Sequence, residues 1–346
     1  MTILLFTNIN KFLQTHEGFN LNMLHTICED NGWYAFVRPT DDVYYDKKLY
    51  PRFYFSTIKP DYDLLRVQID EVLSLVKPTK VVNLLEKFFP WNLVNTTAEK
   101  IYFVRSCARK LSQEIKKHAD DSIIYDRANN LYEELAKREE YFISLSDRII
   151  TDSPTSAAAI KEVYGIDNIP IGWEYINPTK YNTMTRPADF VPVVYNIGRT
   201  DFQKGLQYVR EPKKIWFISI GGAAVGEDNI RGKATEINGL FSYEEYAPII
   251  KDCNYGLFPS FWESNGYAVQ ECLAMGKIPI IQKDSGGNER LCNLDNSFVI
   301  DFPTTDWEEI IFDNMKMQEM SAAARDTLTY DMYKESLDRF IDDIVK

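Results

Sequence analysis

No run among the 346 residues approaches the ~20 consecutive apolar positions that a membrane-spanning helix needs, so helical insertion is not expected. The amino terminus, MTILLFTNIN, is apolar for about a strand's length and lacks the basic leader of a secretory signal. Cysteine is sparse. Cys28, Cys107, Cys253, Cys272 and Cys292 are scattered, with no Cys-x-x-Cys pair and no histidine at metal-ligand spacing. They read as reduced, packed thiols of a cytoplasmic protein, and no metal is expected. A surplus of positive charge is missing too. The formal charge is −12, with 21 Lys and Arg against 25 Asp and Glu through residue 176, and 18 against 26 beyond it. Such a chain has no general affinity for nucleic acid or anionic membrane, although a local basic patch is compatible with it. The one candidate patch is Lys100 to Lys117, where Lys100, Arg105, Arg109, Lys110, Lys116 and Lys117 stand against Glu114 alone. A full G-x-G-x-x-G fingerprint is absent, which weakens a dinucleotide reading. Ser, Cys and His show no triad grouping, so no dedicated nucleophile is expected.

What is present is enough for two cores of ordinary domain size, given the length and 45% hydrophobic content. The most informative stretch is FPSFWESNGYAVQECLAMGKIPIIQKDSGGNERL, from Phe258 to Leu291. An apolar run ending at Pro259 gives way to a polar turn, then to an apolar-periodic segment from Tyr267 to Met275, then to a second apolar run from Lys277 to Ile281. This is a βαβ unit, and in such units ligands bind at the carboxyl ends of the strands, against a helix N-terminus. Ser260, Glu263, Ser264, Asn265 and Gly266 occupy that end. Glu263 and Glu271 have seven residues between them, so one carboxylate lies in the loop and the other on the helix, where one ligand could meet both. Gly266 lets backbone N–H groups approach an anion that the helix dipole favours. Two carboxylates would repel a bare phosphate, but they suit a ligand that carries hydroxyls as well, as a nucleotide sugar does. The other reading of such a pair is two solvated charges on a helix face.

The chain opens with an apolar strand from Thr2 to Asn8, a loop, a helix from Leu21 to Asp30 and a strand from Trp33 to Arg38, the start of a doubly wound sheet. His25 falls inside the helical pattern and reads as a core or surface histidine. The segment from Thr40 to Lys59 lacks periodicity and reads as an irregular insertion. A helix from Tyr62 to Val76 and a strand from Lys80 to Leu85 follow. The aromatic loop around Phe88, Phe89 and Trp91 reads as packing before stacking on a base or sugar. Ile101 to Val104 is a strand, followed by helices from Cys107 to His118 and Asp126 to Ser146. After the strand from Arg148 to Thr151, Ser153 caps a helix with Pro154 in its first turn. Asn177-Pro178 marks a boundary between domains. The second part opens with a strand from Val191 to Asn196 and the turn IGRTDFQKG, which puts Arg199 and Lys204 within reach of one phosphate pair and opens a helix. A strand from Lys214 to Ile220 ends at Gly221-Gly222, where backbone could approach a nucleobase. Ser242 and Glu245 form a capping box, and Asp284 to Asn288 a glycine turn whose amides could face a sugar. A last strand spans Asn296 to Ile300, and helices follow near Asp306 to Leu328 and Met332 to Val345.

The Glu263 and Glu271 spacing, PSFWESNG, ECLAMGKIPI and SGGNE resemble the donor half of family 4 of the retaining glycosyltransferases. The likeness covers Asp147 to Leu291. It implies an α/β GT-B fold, with two doubly wound, Rossmann-like domains facing across a cleft and a C-terminal helix crossing back. Residues 1–176 with 332–346 would bind acceptor, and 177–331 would bind donor. The resemblance implies a UDP-sugar co-substrate, with Gly18, Gly198, Arg199, Lys204, Gly221, Glu263, Ser264, Asn265, Gly266, Tyr267 and Glu271 at the donor and Arg199, Lys204 and Glu263 acting in catalysis. No further cofactor and no metal step are implied. The family's histidine after the fourth central strand is missing, and Arg105 and Ser106 stand there. Either the register differs there or the donor sugar is held differently, as a pentose would be. VYNIGRTDFQKG and AVQECLAMGKIPIIQKDSGGNERL are most similar to the DNA glucosyl- and arabinosyltransferases of T-even-type phages. On that likeness the acceptor is modified cytosine in DNA, held by Arg105, Arg109 and Lys110. The alternatives are a bacterial surface-polysaccharide or lipopolysaccharide glycosyltransferase, and a non-catalytic nucleotide-sugar or DNA-binding protein.

Overall fold

The computed structural model describes residues 1–9, 21–39, 47–58, 60–84, 89–119, 123–181, 193–199, 202–222, 235–238, 243–312 and 316–346. Gly18 and Ser242 lie outside the described residues. The first sheet holds β1 (Ile3–Ile9), β2 (Tyr34–Pro39), β3 (Phe53–Phe55), β4 (Lys80–Asn83), β5 (Glu99–Val104) and β6 (Arg148–Thr151), in the order β3-β2-β1-β4-β5-β6. All its pairings are parallel. The second holds β7 (Val193–Arg199), β8 (Trp216–Gly222), β9 (Thr235–Asn238), β10 (Tyr255–Phe258), β11 (Ile278–Gln282) and β12 (Phe298–Ile300), in the order β12-β11-β10-β7-β8-β9. It is parallel as well. Each sheet is therefore doubly wound about its first strand, and the two have the same topology. Parallel sheets need cover on both faces, and strand β1 shows it. Leu4 and Phe6 enter one hydrophobic cluster while Ile3 and Leu5 enter the other, as the alternation of side chains along a strand requires.

Local signals explain several boundaries. Asp61 accepts from Leu64 N at 2.8 Å and starts the helix Tyr62–Val76, which ends with Lys77 in the left-handed region, just before Pro78. Ser153 accepts from Ser156 N at 3.0 Å and Pro154 fills the first turn of Pro154–Tyr164, as expected. Three expectations are corrected, and one strand is added. The segment read as an irregular insertion contributes β3, whose three residues are too few to show a period. Edge strand β9, Thr-Glu-Ile-Asn, is too polar to announce itself. The turn after β7 makes 3₁₀ turns, Phe202–Lys204 and Leu206–Tyr208, instead of an α-helix, because Gly205 between them is left-handed. Helical structure between Asp306 and Leu328 comes as two elements, Trp307–Phe312 and Met317–Asp326. Phe89 and Trp91 are fully buried, and Phe89 packs on Phe6 at 5.2 Å, so these two rings of the aromatic loop are core, while Phe88 lies outside the described residues.

The terminal helix, Tyr330–Val345, returns to the first domain. Phe340 and Ile344 are buried with Ile150, Phe103 and Trp173, and the Phe340 ring lies 4.9 Å from that of Phe103. Burying one such ring contributes roughly 1.5–3 kcal/mol. Trp173 N donates to Ser336 O at 2.9 Å, so the connection between the domains is fastened to the same helix. Gly172 allows this approach, since a Cβ there would lie 2.6 Å from the Phe340 Cα and Cβ atoms. Gly172→Ala is expected to lower stability by about 1–3 kcal/mol through overpacking, read as a lower thermal midpoint. An unchanged midpoint would show that the helix is not held there.

Candidate active site

In the second sheet the chain order reverses between β7 and β10, and ligands of doubly wound sheets bind in the crevice outside such a switch point. The turns that follow these two strands are pressed together. Gly205 is left-handed, with φ 69°, and a Cβ on it would lie 2.0 Å from Pro259 O. Phe261 N donates to Gln203 O at 3.0 Å. Glycine is the residue that satisfies both the φ and the space. This backbone contact brings Lys204 to Glu263, and Lys204 Nζ donates to Glu263 Oε1. The pair is part-buried, with side chains 24% and 21% exposed, so it is shielded without being sealed from solvent. Arg199 occupies the last position of β7, opposite Gly222, and Gly198 is opposite Gly221. The neighbouring turns therefore carry a cation, Lys204, and a carboxylate, Glu263, at the carboxyl end of the sheet.

Glu263 is held from behind by the glycine turn. Glu263 N donates to Ser285 O at 2.9 Å, and Gly287 N donates to Glu263 O at 2.7 Å. A Cβ on Gly287 would lie 2.3 Å from Ser264 O. The Gly287 amide thus supports the protein loop, which corrects the expectation that it faces a sugar. Gly266 caps Tyr267–Ala274 with φ 64°, and a Cβ there would meet Asn288 Oδ1 at 2.5 Å. Glu271 lies on this helix and accepts from Tyr181 Oη at 3.1 Å and Tyr246 Oη at 3.0 Å. Nothing in the sequence pattern singled out either tyrosine.

Three predicted donor-binding residues are placed in the seam between the domains. Ser264 O accepts from Ser153 Oγ at 2.7 Å. Tyr267 Oη donates to Asp152 Oδ2 at 3.2 Å, with the Arg105 guanidinium 5.1 Å from its ring centre. Burial, then the charge of Asp152, pushes the Tyr267 phenol pKa up, so it stays a donor. Asn265 is 1% exposed and gives its Nδ2 hydrogens to Asp152 O and Glu174 O. Its carboxamide is engaged on both sides, and the reason is geometric: the loop after β10 is where the carboxyl ends of the two sheets meet. Phe261 and Trp262 are buried in the first domain's cluster, and Phe261 stacks on His118 at 3.8 Å and 8°. A cavity of about 290 Å³ lies behind the seam, bounded by Asn22, Thr26, Tyr175, Lys180 and Tyr333, and among the described candidate residues only Tyr267 lines it.

The basic stretch is not a free phosphate-binding patch. Arg109 pairs with Glu133 at 3.3 Å and Glu140 at 3.2 Å, and Lys110 with Glu162 at 2.8 Å. Lys116 pairs with Glu133 at 2.7 Å and Lys117 with Glu114 at 2.8 Å. Hydrogen bonds from Lys116 and Ser112 hold the Glu133 carboxyl down at about 2. Most of these carboxylates come from later helices, so a window on the sequence could not count them. Burial pushes the thiols of Cys28, Cys253, Cys272 and Cys292 up to about 12, which keeps them protonated. Among the described residues no group of His, Cys, Asp and Glu could hold a metal ion, and no helix is long and apolar enough to cross a membrane.

No protein-family model and no curated protein sequence matches the chain. Solved structures do. Sucrose-phosphate synthase from Thermosynechococcus elongatus has a TM-score of 0.72 at 14% identity, over 99% of this chain and 99% of that one. Anabaena HepE in complex with UDP-glucose scores 0.64 at 14% identity, over 99% and 98%. WaaG, described as a glycosyltransferase involved in lipopolysaccharide biosynthesis, scores 0.62 at 13%, over 98% and 99%. At such identities the likeness is one of fold. The chain has the GT-B fold, with two Rossmann-like domains of parallel sheet and a terminal helix crossing back.

His118 supplies a pH test of the seam. Burial lowers its pKa below 6.5, so the neutral ring is the form the fold prefers. The stabilisation is fully present above pH 6.5 and is lost as pH falls through the depressed folded pKa. Thermal midpoints measured across that window should fall for the wild type more than for His118→Phe, which keeps a stacking ring without a titration. Equal slopes would remove His118 from the account.

Proposed function

We propose that this chain is a retaining glycosyltransferase that moves a sugar from a nucleoside-diphosphate donor to a hydroxyl acceptor. The observation that carries the reading is the Lys204–Glu263 pair at the switch point of the second sheet, with Glu271 on the adjoining helix. Cleaving a sugar–diphosphate bond leaves negative charge on the β-phosphate, and fixed positive groups act mainly there. Arg199, Lys204 and the N-terminus of Tyr267–Ala274 supply them in this chain. On donor binding Lys204 exchanges Glu263 for phosphate, and Glu263 turns to a sugar hydroxyl. Glu271 takes the ribose hydroxyls, and Gly198 and Gly221 let backbone approach the nucleotide. The acceptor attacks from the leaving-group side, and a phosphate oxygen takes its proton. Closure of the domains excludes water. UDP-sugar is the favoured donor, because the HepE structures hold UDP and UDP-glucose.

Two acceptor readings stand. The motif likeness carries a modified cytosine of phage DNA. The carboxylate partners of Arg109 and Lys110 take away two of the three cations assigned to DNA phosphates and favour a saccharide acceptor, as in surface polysaccharide or lipopolysaccharide synthesis. Incubation with UDP-glucose and either hydroxymethylated DNA or lipopolysaccharide core separates them, since the true acceptor gains the mass of one sugar. A protein that neither transfers sugar nor slowly hydrolyses any UDP- or GDP-sugar is a binder, and the enzyme reading then fails. Lys204→Ala is expected to lower kcat/KM about 10²–10³-fold, as the loss of one transition-state donor does. An undiminished rate in the Arg199→Ala, Lys204→Ala double variant would falsify the site. With no metal step assigned, a chelator should leave turnover unchanged.

A further inference from the structure

Glu271 does not stand alone on its helix. Tyr246, from the helix Tyr243–Ile250, donates to Oε2 at 3.0 Å, and Tyr181, at the end of the connection from the first domain, donates to Oε1 at 3.1 Å. The tyrosines are 4% and 2% exposed, whereas Glu271 is half-buried. Tyr243 wedges against both, with its ring 4.7 Å from Tyr181 at 67° and 5.5 Å from Tyr246 at 86°. Edge-to-face packing of this kind fixes the direction of each phenol. Two phenols from two chain segments thus converge on one carboxylate, with a third ring wedged against both.

We propose that Tyr181 and Tyr246 are positioning residues that hold both oxygens of Glu271 ready for the vicinal hydroxyls of the donor's ribose. The proposal rests on the donor reading above. A glutamate on a helix samples several rotamers, and freezing one on binding lowers affinity. Phenols that fix the carboxylate beforehand remove that loss. Each tyrosine donates to a different oxygen of the carboxylate, and a carboxylate oxygen accepts in more than one direction, so both phenols can stay bonded while a diol hydroxyl binds. Packing alone does not call for this arrangement, because an apolar residue at 271 would fill the same half-buried place without needing two buried donors. The connection between the domains also carries Tyr181, so the ribose-binding group is tied to the segment that links the two sheets.

The test compares UDP with 2′-deoxy-UDP, and GDP with 2′-deoxy-GDP, by calorimetry on the full chain. The wild type should prefer one ribonucleotide over its deoxy form by roughly tenfold to a hundredfold, the range of a hydrogen bond to a charged group. Glu271→Gln should abolish the preference. Tyr181→Phe and Tyr246→Phe should each reduce it by about three- to tenfold, with an unchanged thermal midpoint, and the double variant by more. In turnover the effect should fall on the donor KM and spare kcat. If Glu271→Gln keeps the preference, or if none of the four nucleotides binds, the donor reading itself is lost. If Glu271→Gln loses the preference while the double phenylalanine variant keeps it, the positioning proposal alone is wrong. Equal weakening of both sugars together with a lower midpoint would mean a structural role and would also overturn it.

Discussion

Asn265 makes four hydrogen bonds through one carboxamide, and the placement of one sheet against the other depends on them. Its Nδ2 reaches Asp152 O at 3.2 Å, just past β6, and Glu174 O at 2.9 Å in the connection. Its Oδ1 accepts from Gln270 Nε2 at 2.9 Å and Arg290 Nη2 at 2.8 Å, both in the second domain. Leaving any of these buried groups unpaired costs about 1–3 kcal/mol. Glu174 extends the network, since its carboxylate binds Arg290 and, at 3.2 Å, Arg339 of the terminal helix. A buried carboxylate with two guanidinium partners is hard to disturb, because removing one partner strands the other charge. The loop that carries Glu263 is therefore set by contacts to three parts of the chain.

The acidic surplus is used in a similar way. Glu139 is fully buried, accepts from Ala108 N at 2.9 Å through each oxygen, and receives Tyr164 Oη at 2.8 Å. It closes the N-terminus of the helix Ala108–Lys117, where the helix dipole welcomes negative charge. Glu308 accepts from Lys213 N and Lys214 N at 3.0 and 2.9 Å, beside the start of β8. Carboxylates in this protein bind backbone donors and neutralise cations from other helices. Net charge read by segments cannot reveal that, because most of these pairings join residues far apart in sequence.

The opening strand, helix and strand, the βαβ unit from Phe258 to Ile281 and the cap at Ser153 were legible because each depends on neighbours a few positions away. Buried parallel strands advertise themselves as apolar runs, and Ser-Pro before a helix is a local hydrogen-bonding solution. Strands β3 and β9 were not legible, being too short or too polar to carry a period. In the site, Lys204 and Glu263 were singled out by motif, and their pairing became visible only when Gly205 was found against Pro259. Asn265 and Tyr267 followed the same motif, yet they serve the seam. The motif marks the loop, and the loop has one side toward the crevice and another toward the first domain.

By itself, then, the sequence determined most of the elements: the longer strands and helices, the doubly wound start of the first sheet, and which loop gathers carboxylates beside a helix N-terminus. Tertiary structure alone decided the partners. It neutralised the stretch from Lys100 to Lys117, brought Tyr181 and Tyr246 to Glu271, and joined Asp152 to Tyr267. The reason is one of range. Helix caps and strand alternation are settled within a few residues, whereas a hydrogen bond or ion pair between distant segments exists only after both sheets have folded and met.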